Sequence, residues 1–476
     1  MISKHKIRSA ALWSAFEAIS SAGLSVISIV FLARILKPED YGQIAAAQII
    51  AALLVLIFSL GLSEAVIQKK NLSINHQLTV FWGSCASALI VLCICLSIAF
   101  YLYFFGSSKV VGLVLVFEGI GAALQLLVIL PTGLLLKNLD VSVLTKRNLI
   151  SRVVFFIIAI PMALYGYGLW SIVFANLFQY LIAFILIFYQ SRNIIPRGYY
   201  FNFRQFIELC RFGLFVMLEN LLWTVLTRVF SLLILNFHGT TQLGIYNIST
   251  RLTDAVLNIL NTVIGRMALP VFSSVQDDRQ KLASFFFNAT KLFNIVSMPA
   301  FVGLAFTCQY WIPVVLGTQW VEAIPIIQII AIMNAIMFSR IFVSQLMKAV
   351  GESRRFLFLS FTSAFVAIAA ALVTAKFSLY ETMLAWSSMR VLITIPLGIY
   401  LVNKILHINA FEQLRPIILP FVVTAIMIFV MVAFRILSER FVLSNIISIT
   451  LEIALGVITY SFTMAFLIKT KKIILR

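Results

Sequence analysis

Apolar runs long enough to cross a membrane follow one another along the whole chain, separated by short polar connections. A helix needs about 20 mainly apolar residues to span the hydrocarbon core. On that pattern we expect spans at 9–33, 41–67, 78–105, 110–136, 149–166, 169–190, 212–236, 243–269, 284–308, 323–348, 356–376, 379–403, 415–437 and 444–468. The fifth is short and contains Pro161, and the eighth is the most polar. The expected fold class is an all-α integral membrane protein with about 14 transmembrane helices.

Basic residues in the connections test that count, because cytoplasmic loops retain Lys and Arg. With the N-terminus placed inside and sides alternating, 24 cations fall inside the cell and six outside (Arg34, Lys37, Lys109, Lys376, Arg435 and Arg440). An error in the number of helices would scramble this asymmetry from that point onward. Both termini are therefore expected in the cytoplasm. Lys4, Lys6 and Arg8 precede the first run, as in a signal peptide, but the run is long and carries Glu17. It reads as the first transmembrane helix rather than a cleaved segment.

Composition agrees with a membrane solvent: 62% of the 476 residues are hydrophobic and 11% charged, against about a quarter charged in soluble domains. The net charge of +19 is dispersed in short clusters, with no basic domain of the kind that tracks nucleic-acid phosphates. Five cysteines and four scattered histidines (His5, His76, His238, His407) form no disulfide framework and no metal-ligand spacing. No cofactor is expected.

An internal repeat is visible. Glu17 and Glu219 lie in the first and seventh spans, and Gly42 and Gly244 follow those spans, each pair separated by 202 positions. Six helices between the copies would make both run the same way through the membrane, a known transporter plan. The expected organisation is an N-terminal lobe over 1–190, a cytoplasmic interfacial linker over 191–211, a C-terminal lobe over 212–403, and additional helices with a tail over 404–476. The linker alternates aromatic, apolar and basic residues (Tyr199, Phe201, Phe203, Arg204, Phe206).

Candidate chemistry lies in the charges inside the spans. Arg228, Arg251, Arg266, Lys291, Arg340 and Arg390 all follow residue 211. A cation at mid-bilayer costs roughly 2.5–3.5 kcal/mol on insertion scales. Arg266 and Lys291 sit near cytoplasmic ends and can snorkel, but Arg228, Arg251, Arg340 and Arg390 are deeper. In the eighth span Asn247, Arg251, Asp254, Asn258, Asn261 and Gly265 recur at helical spacing and form one stripe. Shorter stripes run through Asn220, Thr224, Arg228 and Ser231, and through Ser14, Glu17, Ser21, Ser25 and Ser28. Two readings stand: interhelical polar contacts, with Arg251 and Asp254 neutralising each other, or the positive wall of a water-filled cavity. A cavity of that sign fits an anionic cargo such as a diphosphate, because Arg offers phosphate a planar fork of donors. The candidate substrate groups are Arg228, Arg251, Arg340, Arg390, Asn220, Asn247 and Asn258. Within the N-terminal half the expected intramembrane ionisable groups are acidic, Glu17, Glu64 and Glu118. Glu17, Glu219 and Asp254 are the candidates for ion coupling.

The stretch Leu32-Ala33-Arg34-Ile35-Leu36-Lys37-Pro38-Glu39-Asp40-Tyr41-Gly42 resembles the turn between the first two helices of the Wzx-type polysaccharide flippases. Ala65-Val66-Ile67-Gln68-Lys69-Lys70, Thr79-Val80-Phe81-Trp82 and Tyr167-Gly168-Leu169-Trp170-Ser171 fit the same pattern. The likeness is to the colanic-acid-exporter branch of the polysaccharide transporter family, which shares a superfamily with MATE exporters and lipid II flippases. It implies two six-helix lobes around a central cavity plus two C-terminal helices. The implied cargo is an oligosaccharide repeat unit on undecaprenyl diphosphate, moved from the cytoplasmic to the periplasmic leaflet of a bacterial inner membrane. Polymerase and other assembly proteins are the implied partners beside the lipid bilayer.

Other classes remain. A MATE-like drug or cation antiporter is one, but its cargo suits acidic pockets better than deep arginines; a lipid II flippase is another. A membrane glycosyltransferase or ligase of the same pathway would need a metal–nucleotide carboxylate motif or a sizeable outer loop, and the chain offers no Asp-x-Asp and only short connections. The expected activity is transport, not catalysis.

Overall fold

The computed structural model describes residues 4–69, 72–106, 108–138, 140–274, 278–438 and 445–469, and among these all regular structure is helical. The first half contains α1 (Lys4–Ile35), α2 (Pro38–Ser59), α3 (Leu62–Gln68), α4 (Ile74–Phe104), α5 (Lys109–Leu127), α6 (Ile129–Lys137), α7 (Val141–Leu164) and α8 (Trp170–Ser191). There follow α9 (Phe203–Ser274), α10 (Arg279–Val315), α11 (Ala323–Phe338) and α12 (Phe342–Ala349). The chain continues through α13 (Ser353–Thr374), α14 (Leu379–Leu406), α15 (Ala410–Ser438) and α16 (Asn445–Lys469).

Local chemistry explains the boundaries. Pro38 opens α2, where a missing N–H costs nothing, and the Asp40 side chain accepts from the Lys37 N–H at 3.0 Å. Ser73, Asp278 and Ser378 cap α4, α10 and α14 by accepting from backbone N–H groups of the first turn. Leu60 and Gly61 take left-handed φ of 50° and 61° and bend α2 into α3. Short breaks without left-handed residues join α5 to α6 and α11 to α12, and each of the three pairs forms one continuous apolar span. α9 breaks at Gly239, whose φ of 82° and ψ of −176° suit glycine alone, leaving two long arms. These bends and the break reconcile the helical segments with the spans expected from hydropathy. Eleven helices among the described residues are long and apolar enough to cross a membrane.

By internal contacts the chain divides into two units, Met1–Asn247 and Ile248–Arg476. In the first, α2, α4 and α8 gather against α5, while α7 lies between α1 and α8. In the second, α10 packs on α11, α15 and α16, and α13 pairs with α14. Its core is aromatic, with Phe272, Phe286, Phe293 and Phe301 meeting Phe342 and Leu346. Large apolar side chains such as Leu89, Phe100, Phe365, Phe429 and Phe462 are turned outward. A soluble protein rarely exposes so continuous an apolar surface, whereas lipid solvates it.

Candidate functional site

In the first unit a polar network joins α1 to α7. Thr145 Oγ1 donates to Glu17 Oε2 at 3.0 Å, and Asn148 Nδ2 donates to Glu17 Oε1 at 2.5 Å. The Asn148 amide oxygen in turn accepts two bonds from Arg147, at 3.0 Å from Nε and 2.8 Å from Nη2. One helical turn further along, Arg152 Nη1 donates to the Ser21 carbonyl at 3.2 Å and to Ser25 Oγ at 2.8 Å. The spacing makes this meeting possible: Glu17, Ser21 and Ser25 recur every four residues on α1, and Thr145, Asn148 and Arg152 share a face of α7. Lys146 points elsewhere, its ammonium 5.6 Å from the Trp13 ring centre.

This network corrects one expectation. Helix-embedded cations are not confined to the chain beyond residue 211, since Arg147 and Arg152 lie on α7. Arg147 falls in what was counted as a connection, because the fifth apolar run begins only at 149, and Arg152, just inside that run, was counted with the same cytoplasmic connection. The helix itself begins at Val141. Its first turns are polar because α1 supplies partners there, not because they lie in a connection. The readable signal was the three-to-four spacing of Thr145, Asn148 and Arg152, which continues the helical period backward past the apolar run.

Other acids are also placed. Glu118 is buried and accepts from Gln48 Nε2 at 3.1 Å and Asn176 Nδ2 at 3.2 Å, tying α5 to α2 and α8. Arg228 and Thr224 lie half-buried on the first arm of α9. The side chains of Glu219 and Asn220 on that arm lie outside the described set, as do those of Asn261, Gly265, Arg266 and Lys348.

Of the stripe on the second arm of α9, the structure describes four side chains, Asn247, Arg251, Asp254 and Asn258. Asn247 and Arg251 are half-buried, and Asp254 and Asn258 are exposed. Ile248, Leu252 and Ala255 on the flank beside it are buried, as are Ser249 and Thr253 on the opposite side. Only the Asp254 and Asn258 part of the polar face is open.

Arg340 is different. It sits where α11 gives way to α12, only 7% exposed, and its Nη2 donates to Gln413 Oε1 on α15 at 2.6 Å. Its Nε and Nη1 are buried with no hydrogen-bond partner among the described residues. Gln413 is itself clamped, donating through Nε2 to the Ile399 and Ile408 carbonyls at 3.1 Å each. Immediately beside Arg340, the Ser339 carbonyl accepts from Asn294 Nδ2 at 2.9 Å. Sequence reasoning had no signal for the Arg340–Gln413 pair, whose members are far apart in the chain. Arg390 stands over the ring of Trp386, one turn back on α14, at 4.8 Å. A further ion pair that the sequence did not reveal joins Arg435 on α15 to the buried Glu452 on α16 at 3.6 Å.

Comparison with known proteins places this arrangement. A family model described as "Polysaccharide biosynthesis protein" matches residues 31–325. The lipopolysaccharide biosynthesis protein WzxC of Escherichia coli (strain K12) is 24% identical over 344 residues, covering 70% of this chain and 67% of that one. The teichuronic acid biosynthesis protein TuaB of Bacillus subtilis (strain 168) is 21% identical over 486 residues, covering 96% of this chain and 95% of that one. Among solved structures, the lipid II flippase MurJ in an inward closed conformation superposes with a TM-score of 0.72 at 16% identity, over 97% of this chain and 99% of that one. At that identity the likeness concerns the fold.

Proposed function

Because the chain belongs to the polysaccharide biosynthesis protein family, a family of membrane transporters rather than catalysts, we propose that it flips a lipid-linked oligosaccharide repeat unit across the bacterial inner membrane. The cargo in this reading is the unit on its polyprenyl diphosphate, carried from the cytoplasmic to the periplasmic leaflet, with both termini of the protein in the cytoplasm. The observation that carries it is the buried Arg340, whose Nε and Nη1 have no hydrogen-bond partner among the described residues, together with the half-buried Arg152 that donates to Ser25 on α1. Cations are too costly inside a bilayer to be retained for packing alone. A diphosphate is the cargo chemistry that rewards several of them at once, since each guanidinium offers paired donors to phosphate oxygens.

In this mechanism the head group passes through a polar route while the polyprenyl tail stays in lipid. Alternating access would expose the route first to one side and then to the other. Arg228, Arg251, Arg340 and Arg390, with Asn220, Asn247 and Asn258, are the phosphate- and sugar-binding groups of this reading. Glu17, Glu219 and Asp254 are its ion-coupling groups. A Glu17→Gln variant that exports at the wild-type rate would remove Glu17 from the coupling role.

Deletion of the gene in its native bacterium, followed by analysis of surface polysaccharide and of the polyprenyl-diphosphate pool, tests the reading. Complete, unpolymerised units accumulating on the carrier and shielded from an external probe are the expected result. Incomplete units would instead identify a transferase step, and units reachable from outside a polymerase or ligase step. An unchanged pool would favour export of a different cargo.

A further inference from the structure

The connection between α8 and the first arm of α9 is built as a foot, with one face fixed to the protein and the other presented outward. The fixed face is specified by α4. Trp82 Nε1 donates to the Gly198 carbonyl at 3.2 Å, and the Trp82 ring meets Tyr199 edge-on at 5.0 Å. The Asn202 N–H donates to Thr79 Oγ1 at 3.4 Å, and the Phe206 ring occupies the space where a Cβ on Gly83 would stand. Lys69 Nζ closes the set with a 2.7 Å ion pair to Glu208.

From Phe203 the connection is already helix. Asn202 caps it, its side-chain oxygen accepting from the Arg204 and Gln205 N–H groups at 2.9 and 3.3 Å. No non-helical residue intervenes before Gly239. The first turns are two-faced. Leu209 and Cys210 are buried on the protein side, beside the half-buried Phe206. Phe203 and Ile207, 66% and 50% exposed, line the other side with the exposed Arg204 and Arg211. Tyr199, 78% exposed, and Arg197 continue that surface upstream. Among the described residues no carboxylate pairs with Arg197, Arg204 or Arg211, because the acid of this segment, Glu208, is taken by Lys69.

Exposed aromatic and aliphatic groups interleaved with unpaired guanidiniums have one partner that satisfies both. Aromatic rings settle at headgroup depth, and clustered cations bind acidic headgroups. We propose that residues 197–211 hold the phosphate headgroup of an anionic phospholipid, through Arg197, Arg204 and Arg211, and that this lipid fixes the entry of α9. The foot and the arm that carries Arg228 are one rod, so whatever steadies the foot steadies the arm. The proposal concerns membrane lipid and does not depend on the identity of the cargo.

Hydrogen–deuterium exchange on the cargo-free full chain in nanodiscs tests it, with phosphatidylcholine alone compared against phosphatidylcholine containing phosphatidylglycerol. Phosphatidylglycerol should slow exchange across 197–211 in the wild type and leave it unchanged in R197Q/R204Q/R211Q. In native mass spectrometry the triple variant should lose affinity for phosphatidylglycerol on the order of a hundredfold, about fivefold per arginine. Exchange that ignores lipid charge, or that responds equally in the triple variant, would overturn the proposal. So would equal protection by inorganic phosphate without the charged lipid, which would make the site one for a soluble anion. A triple variant that fails to assemble is replaced by the three single variants, each expected to show part of the loss.

Discussion

Gly42 and Gly244 meet backbone to backbone. A Cβ built on Gly42 would overlap the Thr240 carbonyl and lie 3.1 Å from the Gly244 nitrogen. One built on Gly244 would overlap the Pro38 carbonyl and lie 3.0 Å from the Gly42 nitrogen. The contact is reciprocal, and its two members are the glycines that recur at the repeat offset. Close approach of two helical turns needs both positions without a side chain.

Alanine at either glycine should therefore force the two turns apart, since the obstructing atoms are backbone and cannot rotate away. Export should fall to a small fraction of wild type in Gly42→Ala and in Gly244→Ala, with membrane insertion preserved. The double variant should be little worse than either single one, because both remove the same contact. Surface-polysaccharide complementation with quantified membrane protein checks this. Full complementation by Gly42→Ala would show that the approach is dispensable.

Arg340 predicts a split between stability and activity. A buried guanidinium with two unsatisfied donors costs free energy that one neutral partner does not return. Arg340→Met keeps the length and removes the charge, so it should stabilise the purified protein by about 1–3 kcal/mol. If Arg340 reaches cargo phosphate during transport, the same variant should export poorly. Thermal unfolding in detergent beside a complementation assay reads both, and a destabilised but active variant would reverse the assignment.

The class of fold was legible because each span must satisfy its own backbone hydrogen bonds in lipid, which leaves long apolar helices as the solution. Hydropathy placed the rods but misjudged their ends. Val141 lies well before the fifth apolar run, and Phe203 starts a helix inside the expected linker, because neighbours α1 and α4 satisfy polar turns that a hydropathy window reads as loop. The candidate site was half-legible for the same reason. Periodicity found the Asn247–Arg251–Asp254–Asn258 face, a property of one helix. It could not find Arg152 beside Ser25, or Arg340 on Gln413, since those depend on which helices become neighbours.

The foot of α9 should loosen in acid. A hydrogen bond from Lys69 holds the Glu208 carboxyl below its ordinary value, with the charge of Lys69 adding to the effect. A depressed carboxylate stabilises the folded form fully above its unfolded pKa and loses that contribution as pH falls through the folded one. The contribution is small, because Glu208 is exposed. Exchange at 203–211 should be flat from neutral pH down to the ordinary carboxylate range and rise below it. Glu208→Gln should remove that acid-dependent step. An identical acid response in Glu208→Gln would place the sensitive group elsewhere.

Arg435 and Glu452 bind the last two helices to each other and to α10. The Arg435 guanidinium lies 3.6 Å from the centre of the Tyr310 ring as well as 3.6 Å from the Glu452 carboxylate, which is 1% exposed. Removing Arg435 alone leaves a buried acid without its cation, a loss of about 3–5 kcal/mol. Removing both charges leaves nothing to compensate. Arg435→Ala should therefore unfold at markedly lower temperature, and Arg435→Ala/Glu452→Gln should recover most of the difference. Recovery separates an orphaned charge from lost packing on Tyr310, because the double variant lacks the cation–ring contact as fully as the single one does. If the double variant stays as unstable as Arg435→Ala, the ring contact rather than the ion pair holds α15 in place.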